Sequence, residues 1–180
     1  LPLPTSAPPG TWRFEVVFNG QTQSVNFQVG ATEPPRFNVA EYYAVSLDHY
    51  FMTAFTDEQA KLDSGVPIAG WKRTGESFPA YLANGSGMST VCRFFGTPGL
   101  GVNSRFYSAF DFECDAVKQL AGWTFEANAL YVATNVSQCQ ASTRPVLRLY
   151  NNGMNGQPNH RFITSKSEVA ATQDDGWIDV

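Results

Sequence analysis

The chain has 180 residues, 12 Lys and Arg against 16 Asp and Glu, and a formal net charge of -4. That length fits one domain with a real core, and 43% hydrophobic against only 16% charged residues excludes a disordered or coiled-coil chain. No Lys/Arg cluster offers nucleic acid a footprint, and no run approaches the ~18 apolar residues of a membrane-spanning helix, so neither nucleic acid nor membrane insertion is expected.

Residues 1–10 hold four prolines and read as an extended linker. No charged-then-apolar leader follows Leu1, as expected of a chain whose signal peptide has been removed, and both ends read as those of a piece of a longer product. Residues 11–30 read as a β-hairpin. Trp12, Phe14, Val16 and Phe18 alternate onto one face, as do Val25, Phe27 and Val29, about the turn signal Asn19-Gly20. A lone hairpin is marginal in water, so this one is expected to rest on the repeats, on a further domain or on another subunit. Residues 30–35 read as a second linker.

Residues 36–180 carry one punctuation three times, in units of about 38–81, 90–133 and 145–180. The first has Glu41-Tyr-Tyr43, Asp48-His49, Thr53, Glu58 and Gly70-Trp71. The second has Arg93-Phe-Phe95, Asn103-Ser104, Ser108, Glu113 and Gly122-Trp123. The third has Arg148-Leu-Tyr150, Asn159-His160, Thr164, Glu168 and Gly176-Trp177. Successive tryptophans lie 52 and 54 positions apart, and coincidence of so many aligned positions is improbable. In each unit an apolar-aromatic strand (39–43, 91–95, 146–150) leads through a Gly/Asn/Pro turn to a second strand (50–53, 105–108, 161–164). The closing Thr or Ser is placed to cap a short helix (57–64, 112–120, 167–173) with a carboxylate in its first turn. Gly-Trp then opens a third strand (71–77, 123–131). The third unit is expected to lack that strand, since three residues follow Trp177. The expected fold is mainly β with short helices (α+β): three strand-strand-helix-strand units of ~50 residues in pseudo-threefold packing, resembling a trefoil or small propeller in symmetry only, preceded by the hairpin.

Cys92, Cys114 and Cys139 lack the close pairing of a zinc site, and two histidines are too few to complete one, so no metal is expected. Either all three are small buried thiols, or the chain is extracellular, with one disulfide and one leftover thiol. The second reading is favoured because Cys92 and Cys114 occupy corresponding parts of one unit; Cys139 is then the odd one.

These residues resemble a family of secreted bacterial repeat domains of unknown function. Its repeats read approximately Tyr-Arg-Phe-Tyr, Asn-His-Phe-Tyr-Thr, Ala-Glu and Gly-Trp. The best matches here are residues 146–150, Asn159-His160 with Phe162, Asp48-His49 with Phe51, Glu113-Cys114 and Gly122-Trp123. The resemblance covers about 38–180 and implies an exported module, appended to other extracellular domains such as hydrolases, with no established activity. Ser104 departs from the family's His. The hairpin at 12–29 resembles the closing hairpin of an immunoglobulin-like accessory domain.

His49 and His160 share one position in the pattern, either as ligand contacts in two equivalent pockets or as turn histidines bonded to backbone. Asp48, Asp57, Glu58, Asp111, Glu113 and Glu168 fall at turns and helix starts, where capping explains them without a reaction. Ser86 lies between glycines but lacks nucleophile-elbow spacing. The Gly-rich runs at 96–101 and 151–156 do not join a strand to a helix, so no nucleotide and no cofactor is expected. Trp71, Trp123, Trp177, Tyr43, Phe95 and Tyr150 are expected to form the core of the units, and Tyr81 and Phe110 are the exposed aromatics offered as ligand contacts. The function expected is a non-catalytic, secreted binding module for glycan or cell-surface polymer. The alternative is a structural subunit of an extracellular fibre, sheath or surface layer, joined to neighbouring copies by strand addition.

Overall fold

In the computed structural model the chain divides into two compact units, Leu1–Glu33 and Pro34–Val180. Residues 10–29, 35–85, 87–99, 102–139 and 143–180 are described. Nearly all of both expected linkers, and Ser86, lie outside them.

The first unit holds the hairpin, β1 (Gly10–Phe18) and β2 (Gln21–Val29), in one antiparallel register from Gly10↔Val29 to Phe18↔Gln21. Asn19 and Gly20 both have positive φ, 48° and 73°, the left-handed pair of the tight turn whose twist matches its flanking strands.

The second unit runs strand, strand, helix, strand three times over. The elements are β3 (Arg36–Ala44), β4 (His49–Thr53), α1 (Thr56–Ser64) and β5 (Trp71–Tyr81); β6 (Ser89–Gly96), β7 (Arg105–Ser108), α2 (Asp111–Lys118) and β8 (Trp123–Val132); and β9 (Leu147–Tyr150), β10 (His160–Ile163), α3 (Lys166–Asp174) and β11 (Ile178–Asp179). Each time the first strand is central, with the second and third antiparallel on either side. The first two sets join as one sheet, β4-β3-β5-β8-β6-β7, through Tyr81↔Tyr131; the third is a separate three-stranded sheet, β10-β9-β11. The unit is therefore mainly β with short helices, as expected.

The closing strand expected to be missing from the third set is present. Ile178 pairs with Tyr150 and Asp179 with Leu149, and the Val180 amide donates to the Arg148 carbonyl at 3.2 Å. The Gly that precedes each Trp has a physical reason: Gly70, Gly122 and Gly176 have φ of 89°, 90° and 93°, a conformation that only glycine adopts without strain. The chain reverses there out of the helix and enters the third strand.

Two expectations about side chains are corrected. Tyr43, Phe95 and Tyr150 are only half-buried; their chain neighbours Tyr42, Phe94 and Leu149 are the fully buried ones. Successive strand residues point to opposite faces, and with two large apolar residues in a row the pattern does not say which faces inward. The N-caps of α1 and α2 are Phe55 and Phe110, not Thr53 and Ser108. Those two hydroxyls instead accept the cap amides, at 3.0 Å each, and donate to Glu58 and Glu113. In α3 Ser165 caps directly, accepting from the Glu168 amide.

Cys92 and Cys114 form a disulfide that ties β6 to α2 inside the cluster with Phe94, and Cys139 is free and exposed.

Candidate functional site

The chemistry of the second unit is concentrated where one set of elements meets the next. At the first junction Glu58, in the first turn of α1, accepts both terminal nitrogens of Arg93 from β6, at 2.9 and 2.7 Å. Burial alone would raise the Glu58 pKa, but the hydrogen bonds from Arg93 and Thr53 outweigh it, and the group is held below its ordinary value. It is thus an ionised acceptor at neutral pH. On the other side Glu126 of β8 accepts from Arg105 of β7 at 3.1 and 3.3 Å. The Arg105 guanidinium stands 4.6 Å over the Phe51 ring, and Trp71 meets Phe51 edge-on at 5.8 Å. A cavity of about 90 Å³ opens between the two walls, one made by Phe51, Trp71, Leu62 and Ile68, the other by the two Arg and two Glu residues.

At the second junction Glu113 of α2 accepts both terminal nitrogens of Arg148 from β9, at 2.9 and 3.0 Å. Arg148, opposed by burial and helped by Ser108, holds the Glu113 carboxyl below its ordinary range. The Arg148 guanidinium lies over Phe106, which meets Trp123 edge-on at 6.1 Å. Here His160 covers the phenyl ring, 5.4 Å from Phe106 and stacked on Tyr150 at 5.0 Å. Burial and the Arg148 charge push the His160 pKa down to about 4, against the pull of Glu113.

The third junction has its charges exchanged. The strand position held by Arg93 and Arg148 is Glu41 in β3, and the guanidinium comes from Arg161 in β10. Arg161 donates twice to Glu41, at 3.0 Å each, and also to Thr172 at 2.8 Å and Glu168 at 3.3 Å. Thr74 adds a hydroxyl to Glu41 at 2.7 Å. Trp177 is buried under Tyr50, rings 5.7 Å apart.

Between the junctions the second strands touch one another. Tyr107 donates its hydroxyl to the Met52 carbonyl at 2.7 Å, and its ring meets Phe162 at 5.2 Å. Ser104 donates to the Asn159 side chain at 2.9 Å, and the Asn159 amide donates on to the Asp48 carbonyl at 3.3 Å.

A family model described as a domain of unknown function, DUF5648, matches residues 25–180. The chain belongs to that family. No curated protein and no solved structure matches it.

Set against this DUF5648 framework, the residues singled out in the sequence are scattered. His49 is buried, with neither ring nitrogen aligned for a hydrogen bond among the described residues; burial pushes its pKa down, only partly opposed by the Asn103 backbone. It is not the exposed ligand contact expected; its neighbour is the Asn103 backbone, the kind of partner expected of a turn histidine. His160 is a packing partner of Phe106 and Tyr150. Tyr81, expected to be exposed, is buried in β5 with the Arg36 guanidinium over its ring. Phe110 is 47% exposed, as expected, beside the still more open Phe112 at 5.8 Å. Of the three repeated indoles, Trp177 is buried while Trp71 and Trp123 are half-buried. Sequence reading missed Arg93, Arg105, Arg148 and Arg161 as partners of the acids. One signal for them existed: Arg93 and Arg148 hold the same place in the pattern, just as Glu58 and Glu113 do.

Proposed function

We propose that residues 36–180 are three copies of one unit in pseudo-threefold packing, and that this DUF5648 domain is a non-catalytic extracellular binding module for glycan or cell-surface polymer. The symmetry reading rests on the element order that recurs three times and on the chain of contacts from each set to the next. The functional reading is carried by one observation. At the first junction an indole and a phenyl ring border a cavity whose other wall is made of paired guanidinium and carboxylate groups. Aromatic rings stack on the C–H faces of sugars, and paired polar groups receive their hydroxyls. The buried disulfide suits an oxidising, extracellular setting. The junction acids speak for binding rather than hydrolysis: Glu58 and Glu113 are clamped by arginine with lowered pKa values, whereas a general acid needs a raised one. Glycan arrays and polysaccharide pull-downs with the full 180-residue chain test the reading, and failure to retain any surface polymer overturns it.

The structural-subunit alternative has its own observation. Val16, Val17 and Val25 of the two-stranded hairpin are exposed, a sheet to which a neighbouring copy would add a strand. A strictly monomeric mass in sedimentation equilibrium at high concentration rules it out.

A further inference from the structure

We propose that the cavity lined by Phe51 and Trp71 takes the edge of one neutral sugar ring at this junction, an inference that rests on the binding-module reading and gives its ligand a chemical class. The charge of the walls decides the class. Arg93 and Arg105 are matched by Glu58 and Glu126, so the polar wall is neutral as a whole. A uronate would meet two ionised carboxylates and an amino sugar two guanidinium groups, each leaving a charge uncompensated in a half-buried site. Hydroxyl groups avoid that conflict, because carboxylate oxygens have lone pairs to spare and a hydroxyl oxygen is an acceptor.

The size and the opposite wall agree. A volume of about 90 Å³ exceeds several-fold the ~10–15 Å³ that holds a single water, so the edge of a ring enters while the remainder sits at the mouth. Ile68, exposed on the loop between α1 and β5, lines the cavity together with the half-buried Trp71, an indole of the kind that packs on sugar C–H groups.

The other two junctions are filled by their own side chains. At the second, the His160 ring occupies the space over Phe106. The aligned residue at the first is Ser104, which turns to Asn159, and the Arg105 and Arg93 guanidinium groups lie over Phe51 instead, at 4.6 and 5.2 Å. At the third, Tyr50 lies against Trp177, where the first junction has Arg105.

The test is an NMR titration of the full chain, following the four indole N–H signals. The probes are methyl glucoside, methyl galactoside, methyl mannoside and N-acetylglucosamine, against glucuronate and glucosamine. The expected result is a saturable shift of the Trp71 signal with at least one neutral sugar, and at least about tenfold weaker binding of its charged counterparts. Trp71→Ala is expected to abolish the response. Ile68→Trp, at an exposed rim, is expected to fill the mouth and abolish it with an unchanged melting curve, which separates loss of site from loss of fold. Shifts at Trp123 or Trp177 instead, a preference for a charged sugar, or binding indifferent to Ile68→Trp would each overturn the proposal. If polymer retention by the wild type persists in Ile68→Trp, this site falls and the binding-module reading stands; if the wild type retains no polymer and binds no sugar, both fall.

Discussion

The first and third junctions make the same lock from opposite materials. At the first, the acid comes from a helix (Glu58) and the base from the next central strand (Arg93); at the third, the central strand carries the acid (Glu41) and the base arrives from β10 (Arg161). The third is the drier lock. Its two side chains are 8% and 6% exposed, where Glu58 is 25% exposed, and its indole is covered while Trp71 borders a cavity. Each of these junctions therefore pairs opposite charges, and the fold tolerates either placement. Where the lock is sealed both charges are withdrawn from water, and where it is open its groups border the cavity.

The sharpest way to break this comparison is to remove one base from each lock. Arg161→Met leaves Glu41 buried with only the Thr74 hydroxyl for company, and the expected loss is about 3–5 kcal/mol in urea unfolding. Arg93→Met at the wetter lock is expected to cost about half of that, since water reaches Glu58. The pair Glu41→Leu with Arg161→Met should recover most of the first loss, because two apolar groups need no counter-charge. Equal losses at the two junctions would show that their difference in burial carries no energetic meaning.

A second comparison sets the middle set of elements against the last. Cys92 and Cys114 tie β6 to α2 across 22 residues, whereas the corresponding places in β9 and α3 are Leu147 and Val169, packed in the cluster around Trp177. Closing a loop of that length is worth about 3 kcal/mol on the chain-entropy model, so Cys92→Ala with Cys114→Ala should lower stability by that order, and dithiothreitol should do the same to the wild type. Cys139→Ser, at an exposed thiol, is expected to change stability by less than ~0.5 kcal/mol. Calorimetry of the three proteins decides it.

Acid should expose the second junction before the first. His160 has its pKa depressed from 6.5 to about 4 in the folded state, so the unfolded chain binds the proton more readily. Its contribution is fully present above pH 6.5 and is lost as pH falls from there through about 4, a change of about 2 kcal/mol once solvent screening of a half-buried ring is allowed for. Glu58 and Glu113 act in a lower window. Their depressed values favour folding above 4.5, and that contribution is lost as pH falls below it through their folded-state values. His160→Gln should flatten the slope of urea midpoint against pH between 4 and 6.5 and leave the steep part below it; an unchanged upper slope would contradict the packing assigned to this ring. His49, also depressed, should add to the same upper window, and His49→Gln measures its share.

What the sequence discloses about this molecule is what local chemistry dictates. Asn19-Gly20 requires a turn with two positive φ angles, and each Gly-Trp requires a reversal that admits no side chain, so the hairpin and the order of strands and helices are legible. The inward face of β3 is not, because Tyr42 and Tyr43 are equally apolar and the strand is bulged between Ala40 and Tyr42, which removes the simple alternation. The locks were harder still. Glu58 meets Arg93 across 35 residues and Glu41 meets Arg161 across 120, distances over which no periodicity carries information. Reversal of the charges at the third lock hides it even from a comparison of one copy with another. The cavity depends on where Ser104 and Arg105 send their side chains, which only packing decides.

The smallest effect expected concerns how the three helices begin. In α1 and α2 the hydroxyl of Thr53 or Ser108 accepts a hydrogen bond from the amide of a Phe cap and donates one to the glutamate of the lock. In α3 the chain is one residue shorter between Thr164 and the acid, and Ser165 caps the helix by accepting the Glu168 amide, while Arg161 donates to the Glu168 carboxylate. Ser165→Ala therefore removes a cap and an exposed bond to Ser167 but no contact with the lock, and should cost about 0.5–1 kcal/mol. Thr53→Ala removes a cap-amide acceptor and a lock donor together and should cost more, by about another 1 kcal/mol. Measured with Glu58→Gln in a double-mutant cycle, Thr53→Ala is expected to show coupling, and Ser165→Ala with the same change to show none. Coupling of both, or of neither, would mean that helix initiation and junction charge are not joined as the hydroxyl geometry of α1 indicates.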